Sequence, residues 1–168
     1  MKRRIAACLY ADVSGFCRLI GTDVQSTVRT MTAYKALMAR LVSKHAGRVV
    51  DTAGDSFLAE FATISGAVRC GLALQEELSR HNAGLPPGRR VEFRVGIDLG
   101  DVLVHEGRVY GNCVNNAARV QAIAAPGSVC IAGGAYDHMD AALPVQFEYL
   151  GEHAAKNIDR PLRVYRVE

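Results

Sequence analysis

Hydrophobic positions change their period several times along the chain, and those changes mark out its elements. Residues 5–13 form an apolar run of small and branched side chains without polar alternation, which predicts a strand covered on both faces. Val24, Val28, Met31, Tyr34, Met38 and Leu41 then recur at the spacing of one helix face, and Gly47 is placed to close that helix in the left-handed region. Residues 48–52 and 56–61 read as two strands joined by Ala53-Gly54-Asp55, a hairpin with glycine in its turn. A second helix is predicted from about residue 65, with Val68, Leu72, Gln75 and Leu78 inward, ending near His81 and Asn82 before the Gly/Pro-rich stretch 83–88. Residues 91–99 read as a strand, with 101–110 as its return partner through Gly100. A third helix over 113–124 stops at Pro126-Gly127, and short strands follow over 128–132, 145–150 and 162–167.

The order strand, helix, two strands, helix, strand is that of a ferredoxin-like βαββαβ core. The fold class is therefore α+β, an antiparallel sheet with covering helices. With 168 residues, 49% of them hydrophobic, the chain suits a single domain over 1–168. A net charge of +3 gives no sign of a nucleic-acid-binding arm and suits an anionic small molecule. Cys8, Cys17, Cys70, Cys113 and Cys130 show no C-x-x-C pair, as expected of core thiols in a reduced protein. The five histidines lack the i, i+4 spacing of a helical metal site. No apolar run approaches the roughly 20 residues of a membrane span. The basic start Met1-Lys2-Arg3-Arg4 lacks the cleavage site of a signal peptide, so a soluble, cytoplasmic chain is expected.

Two aspartates carry the strongest chemical signal. Asp12 ends the first apolar run and Asp55 sits in the hairpin turn. A carboxylate at the end of a buried strand is costly to desolvate unless positive charge meets it. Two such hard oxygen ligands describe a Mg²⁺ or Mn²⁺ site of the phosphoryl-transfer kind, although each aspartate alone also reads as an ordinary turn residue. Asn115 and Arg119 lie one helical turn apart beside the apolar edge formed by Val114, Ala117 and Val120, placed to touch one anionic ligand together.

Four segments together resemble the catalytic domain of the class III nucleotidyl cyclases, the adenylyl and guanylyl cyclases. They are Ala11-Asp12-Val13-Ser14-Gly15-Phe16, the stretch Ala53-Gly54-Asp55-Ser56-Phe57-Leu58-Ala59-Glu60-Phe61, Phe93-Arg94-Val95-Gly96-Ile97, and Tyr110-Gly111-Asn112-Cys113-Val114-Asn115-Asn116-Ala117-Ala118-Arg119. The resemblance covers residues 4–167. It implies that Asp12 and Asp55 bind two Mg²⁺ or Mn²⁺ ions with help from the Val13 carbonyl, and that Gly15 and Phe16 lie against substrate. It also implies that Asn115 orients the ribose, Arg119 stabilises the pentavalent phosphorus and Lys156 grips the terminal phosphates. The metal residues would come from one chain and the Asn, Arg and Lys from its partner in a head-to-tail homodimer. The reaction implied is attack of the ribose 3′-oxygen of ATP or GTP on the α-phosphorus, with pyrophosphate leaving. The closing segments look like a bacterial branch in which this domain is often joined to others, so a longer parent protein is compatible.

At the base-selecting positions, where this family commonly has Lys and Asp, the chain carries Asp51 and Arg108. An aspartate accepting from N1–H and the 2-amino group, with an arginine donating to O6, matches guanine, whereas the bacterial branch is mostly adenylyl-type. Asp51 and Arg108 pairing with one another is the alternative. Two other readings stand beside an active cyclase: a degenerate cyclase-like module that dimerises and regulates, and a diguanylate cyclase on the same core. The Gly-Gly-Asp/Glu-Glu-Phe turn of the last is absent.

Overall fold

The computed structural model describes residues 1–14, 23–154 and 160–168. Its frame is one mixed sheet in the order β2-β3-β1-β4-β6-β8-β7, with β5 paired to β4. The strands are β1 (Lys2–Ser14), β2 (Gly47–Ala53), β3 (Ser56–Phe61), β4 (Glu92–His105), β5 (Arg108–Tyr110), β6 (Val129–Ala132), β7 (Phe147–His153) and β8 (Leu162–Val167). The helices are α1 (Val24–Lys44), α2 (Ile64–Ala83), α3 (Asn112–Ile123) and the short α4 (Gly133–Tyr136). Among the described residues only β4 and β6 pair in parallel. The expected α+β core is present in β1 to β4 with α1 and α2.

Alternation along β1 divides its side chains between two cores. Ala7, Leu9, Ala11 and Val13 join Met31, Tyr34 and Met38 of α1 and Val68 and Leu74 of α2 on one face. Ala6 and Cys8 join Cys113 and Ala117 of α3 on the other. The lack of polar alternation in the sequence thus has a direct cause, since helices cover both faces. Local chemistry sets the helix starts: Asp23 Oδ1 accepts from Ser26 N at 3.1 Å, and Thr63 Oγ1 accepts from Gly66 N at 3.1 Å.

Two local expectations are corrected. Ala46, at φ 59°, takes the left-handed position assigned to Gly47. Gly47 instead opens β2 beneath the Phe61 ring, where a Cβ would lie 2.4 Å from Cε1. Gly100 is no turn: β4 runs through it to His105, and the reversal occurs at Glu106 and Gly107, with φ 51° and 76°. The return strand is therefore only Arg108–Tyr110. On α2, Leu74 is fully buried, while Gln75 spends its amide on the Phe93 and Ser128 carbonyls at 2.8 and 3.0 Å.

The glycines of β4 have a packing purpose. A Cβ on Gly96 would stand 2.2 Å from the Ala117 carbonyl oxygen and 2.3 Å from the Gln121 nitrogen, so α3 rests its backbone directly on β4 there. At Gly100 a Cβ would meet Cys113 Cβ at 3.1 Å. Gly96→Ala must push α3 off the sheet, an overpacking cost of about 1–3 kcal/mol or more. Urea unfolding of this variant should show that loss, whereas Gly88→Ala, where a Cβ meets nothing within 4 Å, should lie within about 0.5 kcal/mol of the parent.

Candidate active site

β1 is the strand that brings the two aspartates together. Its register sets Asp12 opposite Ser56 of β3 on one side and Arg94 of β4 on the other. Asp55 lies beside left-handed Gly54, at φ 57°, in the tight turn between β2 and β3. Val13 N donates to the Asp55 carbonyl oxygen at 3.3 Å, stitching the hairpin tip to the end of β1. The two carboxyl groups, 43 positions apart in sequence, consequently share a hydrogen bond.

That closeness governs their charge. Burial, the hydrogen bond with Asp55 and the negative charge of Asp55 push the Asp12 carboxyl up to about 6, against the lowering influence of the Val13 backbone and of Arg94. Two carboxylates in contact oppose simultaneous ionisation unless a proton or a cation lies between them. Asp12 Oδ1 is also buried without a hydrogen-bond partner. A hard divalent cation answers both features, so the pair fits Mg²⁺ or Mn²⁺. Val13 buries its side chain in the core, so only its backbone can assist. Among the described residues no three His, Cys, Asp or Glu side chains converge on one point. A cation here would complete its shell with water and substrate oxygens, as Mg²⁺ commonly does.

The same strand pairing adds a residue that spacing alone did not single out as functional. Arg94 faces Asp12 from β4, its Nε is buried without a partner, and its Nη1 reaches the Ala122 carbonyl of α3 only at 3.5 Å. A guanidinium so lightly engaged beside the Asp12 carboxylate is suited to phosphate oxygens. The signal lay in the sequence as Arg94, two residues before Gly96, but only the register sets it against Asp12.

α3 presents its residues differently. Cys113, Ala117, Val120 and Gln121 are buried against the sheet. At about 100° per residue, Asn115 and Arg119 fall on the side of the helix turned away from that stripe. Asn115 is exposed and Arg119 half-buried. The structure thus sets Asp12 of β1 with Asp55 of the β2–β3 turn, and Asn115 with Arg119 on the outer side of α3. Asp51 on β2 and Arg108 on β5 are both exposed, and no ion pair joins them. Their mutual pairing within one chain, the alternative drawn from sequence, is not formed. Gly15, Phe16 and Lys156 lie outside the described residues, as does Cys17.

Comparison with known proteins shows the family and the fold. The family model for the adenylate and guanylate cyclase catalytic domain matches residues 3–165. The chain belongs to that family. A Rhizobium meliloti protein provisionally named adenylate cyclase 3 is 39% identical over 166 residues, covering 98% of this chain and 28% of its own length. The adenylate cyclase of Streptomyces coelicolor is 33% identical over 130 residues, covering 77% of this chain and 32% of its own. This cyclase domain therefore spans about a third or less of those two relatives. The crystal structure of an adenylate/guanylate cyclase/hydrolase from Silicibacter pomeroyi superposes with a TM-score of 0.88 at 34% identity, covering 99% of this chain and 98% of that one. The adenylyl cyclase CyaB of P. aeruginosa shares the fold, with a TM-score of 0.86 at 20% identity over 99% of this chain and 95% of that one.

In this cyclase domain the raised Asp12 carboxyl has a definite consequence for stability without metal. The folded state holds a proton that the unfolded chain releases near 3.8, so the contribution of Asp12 is full below that pH and is lost as pH rises through about 6. Asp55→Ala removes both the shared hydrogen bond and the repulsion. An NMR titration of the Asp12 carboxyl in metal-free Asp55→Ala protein should move its midpoint down from about 6, toward the ordinary range; a midpoint that stays put would leave burial as the only cause.

Proposed function

We propose that the chain is a nucleotidyl cyclase that converts a purine nucleoside triphosphate to its 3′,5′-cyclic monophosphate and pyrophosphate, in a site shared between two subunits of a head-to-tail homodimer. The observation that carries this reading is the division of labour in the fold. Asp12 near the end of β1 interacts with Asp55 of the β2–β3 turn, while Asn115 and Arg119 of the same chain are turned to the outer side of α3. A second copy related by two-fold symmetry brings its own α3 to the first copy's carboxylates and completes two equivalent sites.

Within each site, Asp12 and Asp55 hold the divalent cations, and the Val13 backbone assists. When bound, these ions supply Lewis-acid activation of the ribose 3′-hydroxyl and neutralise the triphosphate. Arg94 adds fixed positive charge for the phosphate oxygens on the same subunit. Asn115 of the partner subunit orients the ribose so that its 3′-oxygen lines up with the α-phosphorus. Arg119 of the partner subunit follows the negative charge that grows on the equatorial oxygens as pyrophosphate departs, and Lys156 of the partner subunit grips the terminal phosphates. Most of the rate gain is positioning and charge stabilisation, which no protein base need supplement.

Asp51 and Arg108 select the base. Exposed and unpaired with each other in the single chain, they are available to a purine edge, and hydrogen-bond matching favours guanine. The names of the Rhizobium and Streptomyces relatives point to adenine instead. Purified protein incubated with ATP or GTP, each with Mg²⁺ or Mn²⁺, should release cyclic nucleotide and pyrophosphate in equal amounts. Absence of product in all four mixtures would favour a regulatory module. Asp51→Lys with Arg108→Asp should shift the ratio of kcat/KM values toward ATP by about tenfold or more, since one unmatched buried polar group costs about 1–3 kcal/mol.

Sharing of the site is tested separately. Asp55→Ala and Arg119→Ala should each lower kcat by at least about 10²-fold. Mixed together, the two inactive variants should regain activity through heterodimers that contain one intact site. No recovery in a mixture shown to contain heterodimers would place the whole site within one chain.

A further inference from the structure

Two carboxylates are buried among the described residues, and the fold treats them differently. Glu60 is met by two guanidinium groups, those of Arg4 and Arg48. Asp98, 4% exposed in the middle of β4, forms no ion pair with a basic side chain among the described residues. Its partners are N–H groups: Leu99 N donates to Oδ1 at 2.8 Å, Asn116 Nδ2 donates to Oδ2 at 3.1 Å, and the Ala135 backbone donates as well. Gly134 allows that approach, since even a Cβ there would come within 3.3 Å of Oδ1. Burying a carboxylate without a cation is expensive, and an apolar residue at this point would pack at lower cost.

What Asp98 gains for the fold is direction. The apolar stripe of α3 and the bare backbone of Gly96 set how near the helix lies to the sheet, but such contacts are non-directional. The Asn116–Asp98 bond, at 3.1 Å, is the shorter of two directional ties between this helix and β4, the other being Arg94 Nη1 to the Ala122 carbonyl at 3.5 Å, and Asn116 stands between Asn115 and Arg119 in the sequence. A rotation of α3 by about 20° would carry a side-chain tip at a radius of about 5–6 Å through about 2 Å. Misplacement by about 1 Å can cost about 10² in rate.

We propose that Asp98 is a positioning residue of the cyclase site: held by Leu99 and Ala135 and gripping Asn116, it sets the rotation of α3 and so the points at which Asn115 and Arg119 meet the nucleotide. This rests on the cyclase reading, so the test carries one measurement that does not need turnover. In the homodimer of the whole chain, Asp98→Ala and Asn116→Ala should each lower kcat by about 10–10²-fold while KM for the nucleotide changes by less than about threefold. Asn116→Ala leaves Asp98 bonded to β4 and α4, which covers the case in which Asp98→Ala does not fold. Asp98→Asn should stay within about threefold of the parent. Its new amide can donate to Asn116 Oδ1, which is buried without a partner, once the Asn116 amide turns over.

Hydrogen exchange supplies the independent readout. Amides of residues 112–119 should lose protection in both alanine variants and keep it in Asp98→Asn, with the rest of the sheet unchanged. Unchanged kcat per folded dimer in Asn116→Ala, or unchanged exchange along α3, would overturn the proposal. If the parent protein makes no cyclic nucleotide, the cyclase reading falls by itself, and the exchange pattern alone still decides whether Asp98 holds α3.

Discussion

The site depends on β1 being paired on both sides. Because β1 lies between β3 and β4 in fixed antiparallel register, Asp12 has Ser56 and its turn on one flank and Arg94 on the other. A slip of one residue would send Asp12 into the core beneath α1 and α2 and expose Val13, so burial of the alternate side chains enforces the register. The carboxylate pair and the neighbouring guanidinium are therefore consequences of core packing. Their electrostatic strain is sustained by strands that have no reason to move.

The second constraint is the seating of α3. Gly96 admits the helix backbone to the sheet, and the buried stripe through Ala117 and Val120 holds it there. This packing turns Asn115 and Arg119 outward. That outward placement is what the proposed sharing of the site between two subunits rests on. Asp98 belongs to the same assembly of parts, as a buried charge whose partners are all directional.

Much of this was legible from pattern. The helix over α1 followed from its three- and four-residue spacing, and the β2–β3 hairpin from Gly54 in its turn. Places where the pattern misled share one cause. Gly100 and Gly47 were read as chain-reversal signals because glycine commonly serves there, but both are small for the sake of neighbours distant in sequence, Cys113 and Phe61. Leu74 and Gln75 illustrate the same limit: periodicity located the inner face of α2 but not which residue at its margin would bond to the Phe93 and Ser128 carbonyls.

By itself the sequence determined the element order, the single α+β core and a set of motif residues whose chemistry points to nucleotide cyclisation, because local periods and short motifs depend only on near neighbours. Tertiary structure decided that Asp12 and Asp55 touch, that Arg94 joins them, that Asp51 and Arg108 stay unpaired in one chain, and that Asn115 and Arg119 face away from their own sheet. Each of these is a relation between strands or faces brought together from distant parts of the chain, and it exists only once register and close packing have placed one backbone against another.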